Sequence, residues 1–408
     1  MILFENATVL DGASEHALPN MHVLVAGDAI REVSDRPIAS TAMRIDLRGK
    51  TLMPGLIDCH VHVVAALANL GANAMLPDAV VTLHTARLMN EMLMRGFTTV
   101  RDLGGATYGL KMAWDEGLMP GPRLSIAGKA LSQTGGHCDF RGRHDTRPAD
   151  FFAGRLGSLG RLVDGVDAVR RACREEIKAG ADYIKIMANG GVASPTDPIA
   201  FVGFSEDEVR AAVEEARMAQ TYVSAHLYTD EAIARAVRCG VRSLEHCNLI
   251  TEATARAAAA AGAIACPTLV TYEALKNEGA ALGLPPDSVA KIDDVRLAGL
   301  ESLAKMDAAG LMMVYGTDLL GPMHRHQSEE FVIRGRVQPA MEVIRGATIN
   351  AAIMLREEGR IGCIAPGALA DLIVVDGDPL ADLSLLTHQG AHLSAIMQGG
   401  RFVKNALV

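Results

Sequence analysis

The 408-residue chain lacks the features that mark several large classes of protein. Its net charge is -9 at pH 7 and its sequence pI is about 5.8, and no basic patch indicates a nucleic acid or an anionic membrane as a partner. No uncharged apolar run reaches the length needed to span a membrane. Residues 1–6 do not begin a basic segment followed by an apolar run, so we expect no signal peptide.

The cysteine pattern excludes a second class, the small disulfide-rich secreted proteins. The chain contains seven cysteines, which is an odd number, and they form no Cys-x-x-Cys pair. A disulfide framework is therefore not expected, and the pattern favours a reducing compartment. We expect a soluble, cytoplasmic globular protein.

Two kinds of pattern divide the chain. Residues 1–53 and 358–408 contain short β-rich runs and turns, which predict a small β-sandwich domain built from both chain ends. Residues 54–357 alternate short β-rich runs with longer helical ones, which predicts an α/β fold, a (β/α)8 TIM barrel with its catalytic residues at the C-terminal ends of the strands. The eight candidate strands are residues 55–61, 97–101, 123–127, 183–187, 222–226, 243–246, 264–269 and 312–315.

Two segments of the predicted barrel have a local signature. Residues 131–160 are rich in Gly, Arg, His and Asp, and we expect a long loop there. Ser205 and Glu208 have the spacing of a capping box, which predicts that a helix begins beside them.

The first candidate strand ends in two histidines, His60 and His62. Side chains two positions apart on a strand point to the same face, so both imidazoles can bind one metal ion. A pair of surface histidines is the alternative for this motif alone. The apolar residues around it, including Ile57 and Val61, favour burial.

Other candidate ligands lie in or just after later candidate strands. Lys185 lies within an apolar strand, where a charged lysine is costly unless it is neutralised or paired. His226, His246 and Asp318 follow in order along the chain. Each alone could be structural, with Asp318 as a helix N-cap for example. The ordered set is far more specific than any of its members.

This set resembles the ligand pattern of the amidohydrolase superfamily, and the resemblance covers nearly the whole chain. The motifs that carry it are Pro54-Gly55-Leu56-Ile57-Asp58-Cys59-His60-Val61-His62, Gly96-Phe97-Thr98-Thr99-Val100-Arg101-Asp102, Ala347-Thr348-Ile349-Asn350-Ala351-Ala352 and Gly367-Ala368-Leu369-Ala370-Asp371-Leu372-Ile373-Val374.

The resemblance implies a site for two divalent metal ions. His60, His62 and Asp318 would hold the more buried ion, and His226 and His246 the more exposed one. Lys185, carboxylated to a carbamate, would bridge both ions. Imidazole and carboxylate ligands suit Zn2+, although manganese, cobalt and iron also accept them.

The resemblance also implies a mechanism for amide hydrolysis. A hydroxide bridging the two ions would attack the substrate carbonyl. Asp318 would take the proton of that hydroxide and pass it to the leaving nitrogen. Tyr228, two residues after His226, would polarise the carbonyl, and a packed aromatic is the alternative role for it.

Within the superfamily the chain looks most like the binuclear zinc dipeptidases of the prolidase type, which cleave Xaa-Pro dipeptides and N-acyl prolines. The motifs that carry this likeness are Tyr183-Ile184-Lys185-Ile186-Met187, Gly190-Gly191-Val192, His226-Leu227-Tyr228 and Gly135-Gly136-His137. By this resemblance His137 and Tyr228 hold the substrate α-carboxylate, although His137 could equally be a solvated loop residue. Val192, Ala193 and Pro195 predict an apolar wall suited to proline.

Several functions compete with this one. Relatives of the same type cleave Xaa-Arg or Xaa-Lys dipeptides or ochratoxin-like N-acyl amino acids. A deaminase or cyclic amide hydrolase of the superfamily is another candidate, but many deaminases do not need the bridging lysine, so Lys185 argues against that branch. A non-catalytic scaffold would have no reason to keep each ligand. The expected partner is a small-molecule substrate, and we expect a homo-oligomer because such enzymes often form one.

Overall fold

The structure is a computed structural model that describes residues 1–407. Its strands are β1 (Ile2–Val9), β2 (Leu18–Ala26), β3 (Ala29–Ser34), β4 (Met43–Asp46), β5 (Thr51–Pro54), β6 (Leu56–Val61), β7 (Phe97–Asp102), β8 (Arg123–Ile126), β9 (Ala130–Ser132), β10 (Gly160–Leu162), β11 (Ile184–Met187), β12 (Val223–Thr229), β13 (Ser243–Leu249), β14 (Ile264–Cys266), β15 (Leu372–Val375), β16 (Leu393–Gln398) and β17 (Arg401–Asn405).

Most helices lie between the strands of the central part of the chain. The α-helices are α1 (Leu70–Asn73), α2 (Asp78–Met94), α3 (Tyr108–Asp115), α4 (Val166–Lys178), α5 (Glu206–Met218), α6 (Asp230–Cys239), α7 (Glu252–Ala260), α8 (Leu269–Ala274), α9 (Pro286–Arg296), α10 (Gly299–Ala308), α11 (Glu329–Arg334), α12 (Ala340–Gly346) and α13 (Ile349–Leu355). Short 3-10 helices span Gly321–His326, Leu383–Leu386 and His388–Gly390, and Leu275–Gly279 is a π-helix.

The two chain ends meet in one continuous eight-stranded sheet with the order β17-β16-β15-β5-β1-β2-β3, in which β4 also pairs with β1. The join lies between β5 and β15, which run antiparallel with Met53 opposite Ile373. Apolar side chains from both ends, among them Phe4, Val25 and Leu372, form a single buried cluster. Burial of this shared apolar surface explains why the ends associate.

Parallel strands form the central part of the chain, as the alternating pattern predicts. A six-stranded sheet has the order β10-β9-β11-β12-β13-β14, and a three-stranded sheet has the order β6-β7-β8. All residues of β6, β7 and β11 are buried. Strands covered on both faces are typical of parallel sheets flanked by helices.

The segment between β14 and β6 differs from the prediction of an eighth strand. Residues 312–315 contain only an isolated bridge, between Met313 and Ala265. The amide of Val314 donates to Ala265 at 2.9 Å, whereas Tyr315 accepts from the amide of Cys59 at 2.8 Å. Because these bonds go to two different neighbours, neither side has a ladder long enough to make a strand.

Two further local predictions have different outcomes. The capping box at the start of α5 is confirmed, since the Ser205 side chain accepts from the Glu208 amide and the Glu208 side chain accepts from the Ser205 amide. The segment 131–160, expected to be a loop, begins and ends in the short parallel strands β9 and β10. Three-residue strands are too short to leave a periodic signal. Among residues 1–407, no helix is both long enough and apolar enough to cross a membrane.

Candidate metal and substrate site

The candidate ligands lie around one cavity at the carboxyl ends of the parallel strands. His60 is in β6, Lys185 in β11, His226 in β12 and His246 in β13, and Asp318 follows the bridging segment. All of them line a cavity of about 520 Å³, a volume that includes its opening to solvent. Residues far apart in the sequence therefore meet at one rim, as expected for parallel strands.

Asp318 lies at the centre of the histidine cluster. Its Oδ1 is 3.3 Å from Nε2 of His60 and 3.2 Å from Nε2 of His62, and its Oδ2 is 4.0 Å from Nδ1 of His246. Burial opposes ionisation of Asp318, but the imidazoles of His60 and His62 outweigh burial and hold the pKa of this carboxyl well below its usual range. Asp318 is therefore a carboxylate, which is the form that binds a cation.

The backbone at two of these residues has an uncommon conformation. Asp318 has a φ of 51° and His246 a φ of 70°, both in the left-handed region that residues other than glycine rarely adopt. Both residues line the cavity, Asp318 just after the bridging segment and His246 within β13. Such conformations cluster at functional sites, where the surrounding structure imposes them.

All four candidate ligand histidines are held by contacts outside the cluster, and Nε2 of His226 lies 3.2 Å from the carbonyl oxygen of Gly190. Nδ1 of His60 lies 2.9 Å from Oε2 of Glu245, and Nδ1 of His62 lies 3.0 Å from the carbonyl oxygen of Gly104. Nδ1 of His246 lies 2.8 Å from Oγ1 of Thr268. A carbonyl oxygen can only accept, so His62 carries a proton on Nδ1, and its Nε2 is the ring nitrogen that faces Asp318. Outer contacts of this kind orient histidines that ligate metals.

Lys185 is buried beside the same cluster, with 1% of its surface exposed. Burial lowers the pKa of its ammonium group to about 8. No carboxylate of residues 1–407 forms an ion pair with Lys185 within 4.0 Å. Glu245 and Asp318 oppose the effect of burial but do not outweigh it, so a buried lysine without a directly paired carboxylate is costly as a cation and the site favours a neutral amine or its modified form.

His226, His137 and Tyr228 form a second wall of the cavity. The rings of His137 and His226 are stacked at a centroid distance of 4.2 Å and an angle of 18°. The hydroxyl of Tyr272 donates to the hydroxyl oxygen of Tyr228 at 3.0 Å, which leaves the Tyr228 proton free to donate elsewhere. The structure thus places His137 and Tyr228, the two residues predicted to bind substrate, in the same cavity as the candidate ligands.

Sequence reasoning missed the buried ion pair beneath the cluster. Glu245 and Arg101 are both fully buried and lie 2.8 Å apart. Glu245 also accepts hydrogen bonds from Ser224 at 2.7 Å and Ser243 at 2.5 Å, besides its contact with His60. The only available signal was a charged residue next to His246 within an apolar strand, and it did not identify a partner.

Apolar side chains cover much of the remaining cavity wall. Val192 and Ala193, predicted as part of that wall, line the cavity, whereas Pro195 does not. Asp318 is the one acidic residue among the lining residues. The other apolar lining residues are Leu70, Phe140, Leu159, Met187, Leu275 and Leu320.

The donor set fits a metal site. One atom each of His60, His246 and Asp318 can be chosen so that all lie within 4.8 Å of one another. Imidazole nitrogens and carboxylate oxygens are ligands of divalent transition metals. The site thus contains groups that could hold a metal ion.

Comparisons with known proteins identify the family of the chain. The profile of the Amidohydrolase family matches residues 51–401. A solved amidohydrolase structure is 55% identical, with a TM-score of 0.97 and 99% of each chain covered. A solved prolidase in complex with N-methylphosphonate-L-proline is 51% identical, also with a TM-score of 0.97 and 99% of each chain covered.

A curated relative is named for a different activity. The ochratoxinase of Aspergillus niger is 31% identical over 424 aligned positions, which cover 94% of this chain and 85% of that protein. The predicted resemblance is therefore confirmed, and with it an α/β fold of the TIM-barrel type and a hydrolase activity. The chain belongs to the amidohydrolase family.

Proposed function

We propose that this protein is a binuclear metal-dependent amide hydrolase that releases proline from Xaa-Pro dipeptides and N-acyl prolines. The observation that carries the proposal is that the candidate metal ligands, His137 and Tyr228 line one cavity whose remaining wall is largely apolar. The similarity to a prolidase solved with a prolyl phosphonate supports the choice of substrate.

We assign the metal ligands as the sequence predicts. His60, His62 and Asp318 would hold one ion and His226 and His246 the other, with carboxylated Lys185 between them. The absence of an ion pair at buried Lys185 supports the carbamate, because carboxylation converts a costly cation into an anionic oxygen ligand. When bound, two divalent ions, which we propose to be Zn2+, would activate water and polarise the scissile carbonyl.

The chain's own groups would carry out the proton transfers. Asp318, kept ionised by the facing imidazoles, would accept the proton of the attacking water and return it to the proline nitrogen as the amide bond breaks. The free hydroxyl proton of Tyr228 would donate to the substrate carbonyl oxygen, where negative charge develops. Glu245 would keep His60 in orientation through the Nδ1 contact.

The composition of the cavity supports proline over a basic residue at the C-terminal position of the substrate. A proline ring would lie against apolar side chains such as Val192 and Phe140. A substrate arginine or lysine would need a counter-charge, and Asp318, the one acidic lining residue, is already assigned to the metal. The Nε2 atom of His137 would meet the α-carboxylate, since the Tyr228 proton is assigned to the scissile carbonyl.

A second candidate is hydrolysis of N-acyl amino acids that carry an aromatic side chain. The similarity to the Aspergillus niger ochratoxinase favours it. The same reaction and ligands would operate, and only the apolar side chain of the released amino acid would differ.

We propose a two-part organisation that places this site. Residues 54–357 would form a closed (β/α)8 barrel, and the bonds that residues 312–315 make to Ala265 and Cys59 support closure. Residues 1–53 and 358–408 would form the small β-sandwich, supported by the sheet shared between the chain ends. We also propose a cytoplasmic location, since all seven cysteines are free, and a homo-oligomer.

The test is hydrolysis of a substrate panel by zinc-loaded protein, read as free amino acid released. The panel contains Xaa-Pro, Xaa-Arg and Xaa-Lys dipeptides together with N-acetyl-L-proline and N-acetyl-L-phenylalanine. His62→Asn should abolish release, whereas His16→Asn, an exposed histidine in the segment between β1 and β2, should not change it. Dominant release of arginine or lysine would overturn the substrate assignment, and dominant release of phenylalanine would favour the second candidate.

A further inference from the structure

Ser194 lies in the segment between β11 and α5 and is fully buried. Its Oγ is 2.6 Å from Nδ1 of His137. We propose that Ser194 is a positioning residue that donates its hydroxyl proton to His137 and so keeps the His137 proton on Nε2, where it meets the substrate carboxylate. This inference rests on the proposed function for the identity of the carboxylate.

The hydroxyl of Ser194 has one proton and two acceptors within reach. Nδ1 of His137 lies at 2.6 Å, and the carbonyl oxygen of Gly191 lies at 3.3 Å. The Gly191 carbonyl already accepts from the ammonium group of Lys291 at 2.5 Å. The contact with His137 is the shorter of the two, and Nδ1 of His137 has no competing donor such as Lys291. Both observations direct the Ser194 proton to His137.

Asp197 is the other group that faces Nδ1 of His137. Its Oδ2 is 3.4 Å from Nδ1, which is long for a hydrogen bond, and it accepts from the amide of Gly191 at 2.9 Å. A carboxylate can only accept, so Asp197 would favour the opposite tautomer, with the proton on Nδ1. The distances assign control of the tautomer to Ser194 rather than to Asp197.

The His137 ring has little room to turn away from Ser194. One face stacks on His226 at 4.2 Å. On another side it contacts Gly191 so closely that a Cβ at that position would lie 1.8 Å from Cε1 of His137. Ammonium contacts from Lys291 to the carbonyls of Gly191 and Ser194 hold this segment in place. The remaining ring nitrogen, Nε2, is the one available to a ligand in the cavity.

An imidazole that accepts at Nδ1 carries its proton on Nε2. In this tautomer Nε2 donates to a carboxylate, whereas the other tautomer would present a lone pair to a negative charge. A hydrogen bond to a charged partner is among the stronger ones in proteins. Loss of the correct tautomer should therefore weaken binding of a substrate carboxylate by about 10- to 100-fold.

The direct test is ¹⁵N–¹H correlation spectroscopy of the zinc-loaded full chain labelled with ¹⁵N-histidine, with the His137 signals assigned by their loss in His137→Asn. We expect the His137 proton on Nε2 in the wild type and in Ser194→Thr, and a shift toward Nδ1 in Ser194→Ala. A wild-type proton on Nδ1 would overturn the proposal, and this spectrum decides it whether or not any substrate is cleaved.

Kinetics provide the second readout. For N-acetyl-L-proline, Ser194→Ala should raise KM by about 10- to 100-fold with little change in kcat, and Ser194→Thr should restore KM. N-acetyl-L-prolinamide lacks the carboxylate, so its kcat/KM should not change. Equal losses on both substrates would indicate a general structural role and refute the positioning role. If the wild type releases neither proline from N-acetyl-L-proline nor prolinamide from N-acetyl-L-prolinamide, the proposed function fails while the spectrum still tests the tautomer.

Discussion

Replacement of Glu245 by glutamine tests the buried network beneath the cluster. Glu245 and Arg101 are fully buried and 2.8 Å apart, and Glu245 also accepts from the hydroxyls of Ser224 and Ser243. Glu245→Gln keeps the size and one acceptor oxygen but removes the negative charge. The guanidinium of Arg101 is then left as a buried cation without a counter-charge.

The magnitude follows from the burial of both partners. Removal of one member of a buried ion pair destabilises proteins by about 3–5 kcal/mol, and the retained amide oxygen places glutamine near the lower end, at about 3 kcal/mol. Glu245 also contacts Nδ1 of His60 at 2.9 Å. Loss of such an outer contact lowers metal affinity by about 10- to 100-fold, so we expect weaker metal retention as well.

The assay is equilibrium urea denaturation of the metal-free protein, followed by far-ultraviolet circular dichroism and by fluorescence of the single tryptophan, Trp114. Coincident transitions justify a two-state free energy of unfolding. Glu175→Gln is the matched control, because Glu175 pairs with Arg161 at the surface, and it should change the free energy by less than about 1 kcal/mol. A change below about 1 kcal/mol for Glu245→Gln would refute the reasoning.

Three further perturbations test other parts of the site. Lys185→Ala removes the proposed bridging ligand, so proline release should fall by on the order of 100-fold or more, and mass spectrometry should find fewer than about two metal equivalents. Gly191→Ala places a Cβ 1.8 Å from Cε1 of His137, so kcat/KM for N-acetyl-L-proline should fall by about 100-fold, whereas Gly142→Ala has open space and should not change it. Burial lowers the pKa of His324 to about 3 in the folded chain. Below about pH 6.5 His324 therefore binds a proton in the unfolded chain but not in the folded one, and the free energy of unfolding falls as pH decreases. Between pH 7.5 and 5.0 the metal-free wild type should lose about 2 kcal/mol more than His324→Leu in urea denaturation.

Each of these predictions has a result that contradicts it. Full metal content and unchanged proline release in Lys185→Ala would show that the lysine is not a ligand. Equal kinetics for the two glycine variants would show that His137 need not occupy its place against Gly191. Identical loss of stability with falling pH in the wild type and His324→Leu would show that His324 takes up its proton as readily in the folded chain as in the unfolded chain.

The candidate ligands could be predicted because parallel strands deliver their carboxyl ends to one edge. His60, Lys185, His226 and His246 each lie in a buried strand, and the structure places all four with Asp318 around one cavity. Their roles as ligands stay predictions, as do the roles of His137 and Tyr228. The family itself is confirmed by the match over residues 51–401.

The partners of these residues could not be predicted. Arg101 and Glu245 are separated by 144 positions, and no local pattern reports that two strands bring them together. The contact of Ser194 with His137 likewise joins two irregular segments, each of which could adopt many conformations. Polar contacts between distant segments depend on the final packing, which is settled only when the chain is folded.

The predicted element boundaries were wrong where strands are short or where a segment divides its hydrogen bonds between two neighbours. Residues 312–315 are apolar enough to predict a strand, but their hydrogen bonds divide between Ala265 and Cys59. Strands β9 and β10 have three residues each and were hidden within a polar segment. The capping box at Ser205 succeeded because its two hydrogen bonds involve residues only three positions apart.

The most direct test of the central claim is a titration of the metal-free protein with zinc while proline release from N-acetyl-L-proline is followed. A binuclear prolyl amide hydrolase predicts that activity rises with added zinc and saturates at about two equivalents per chain. Binding of two zinc equivalents without any proline release would contradict the substrate, and full activity in the metal-free protein would contradict the metal centre.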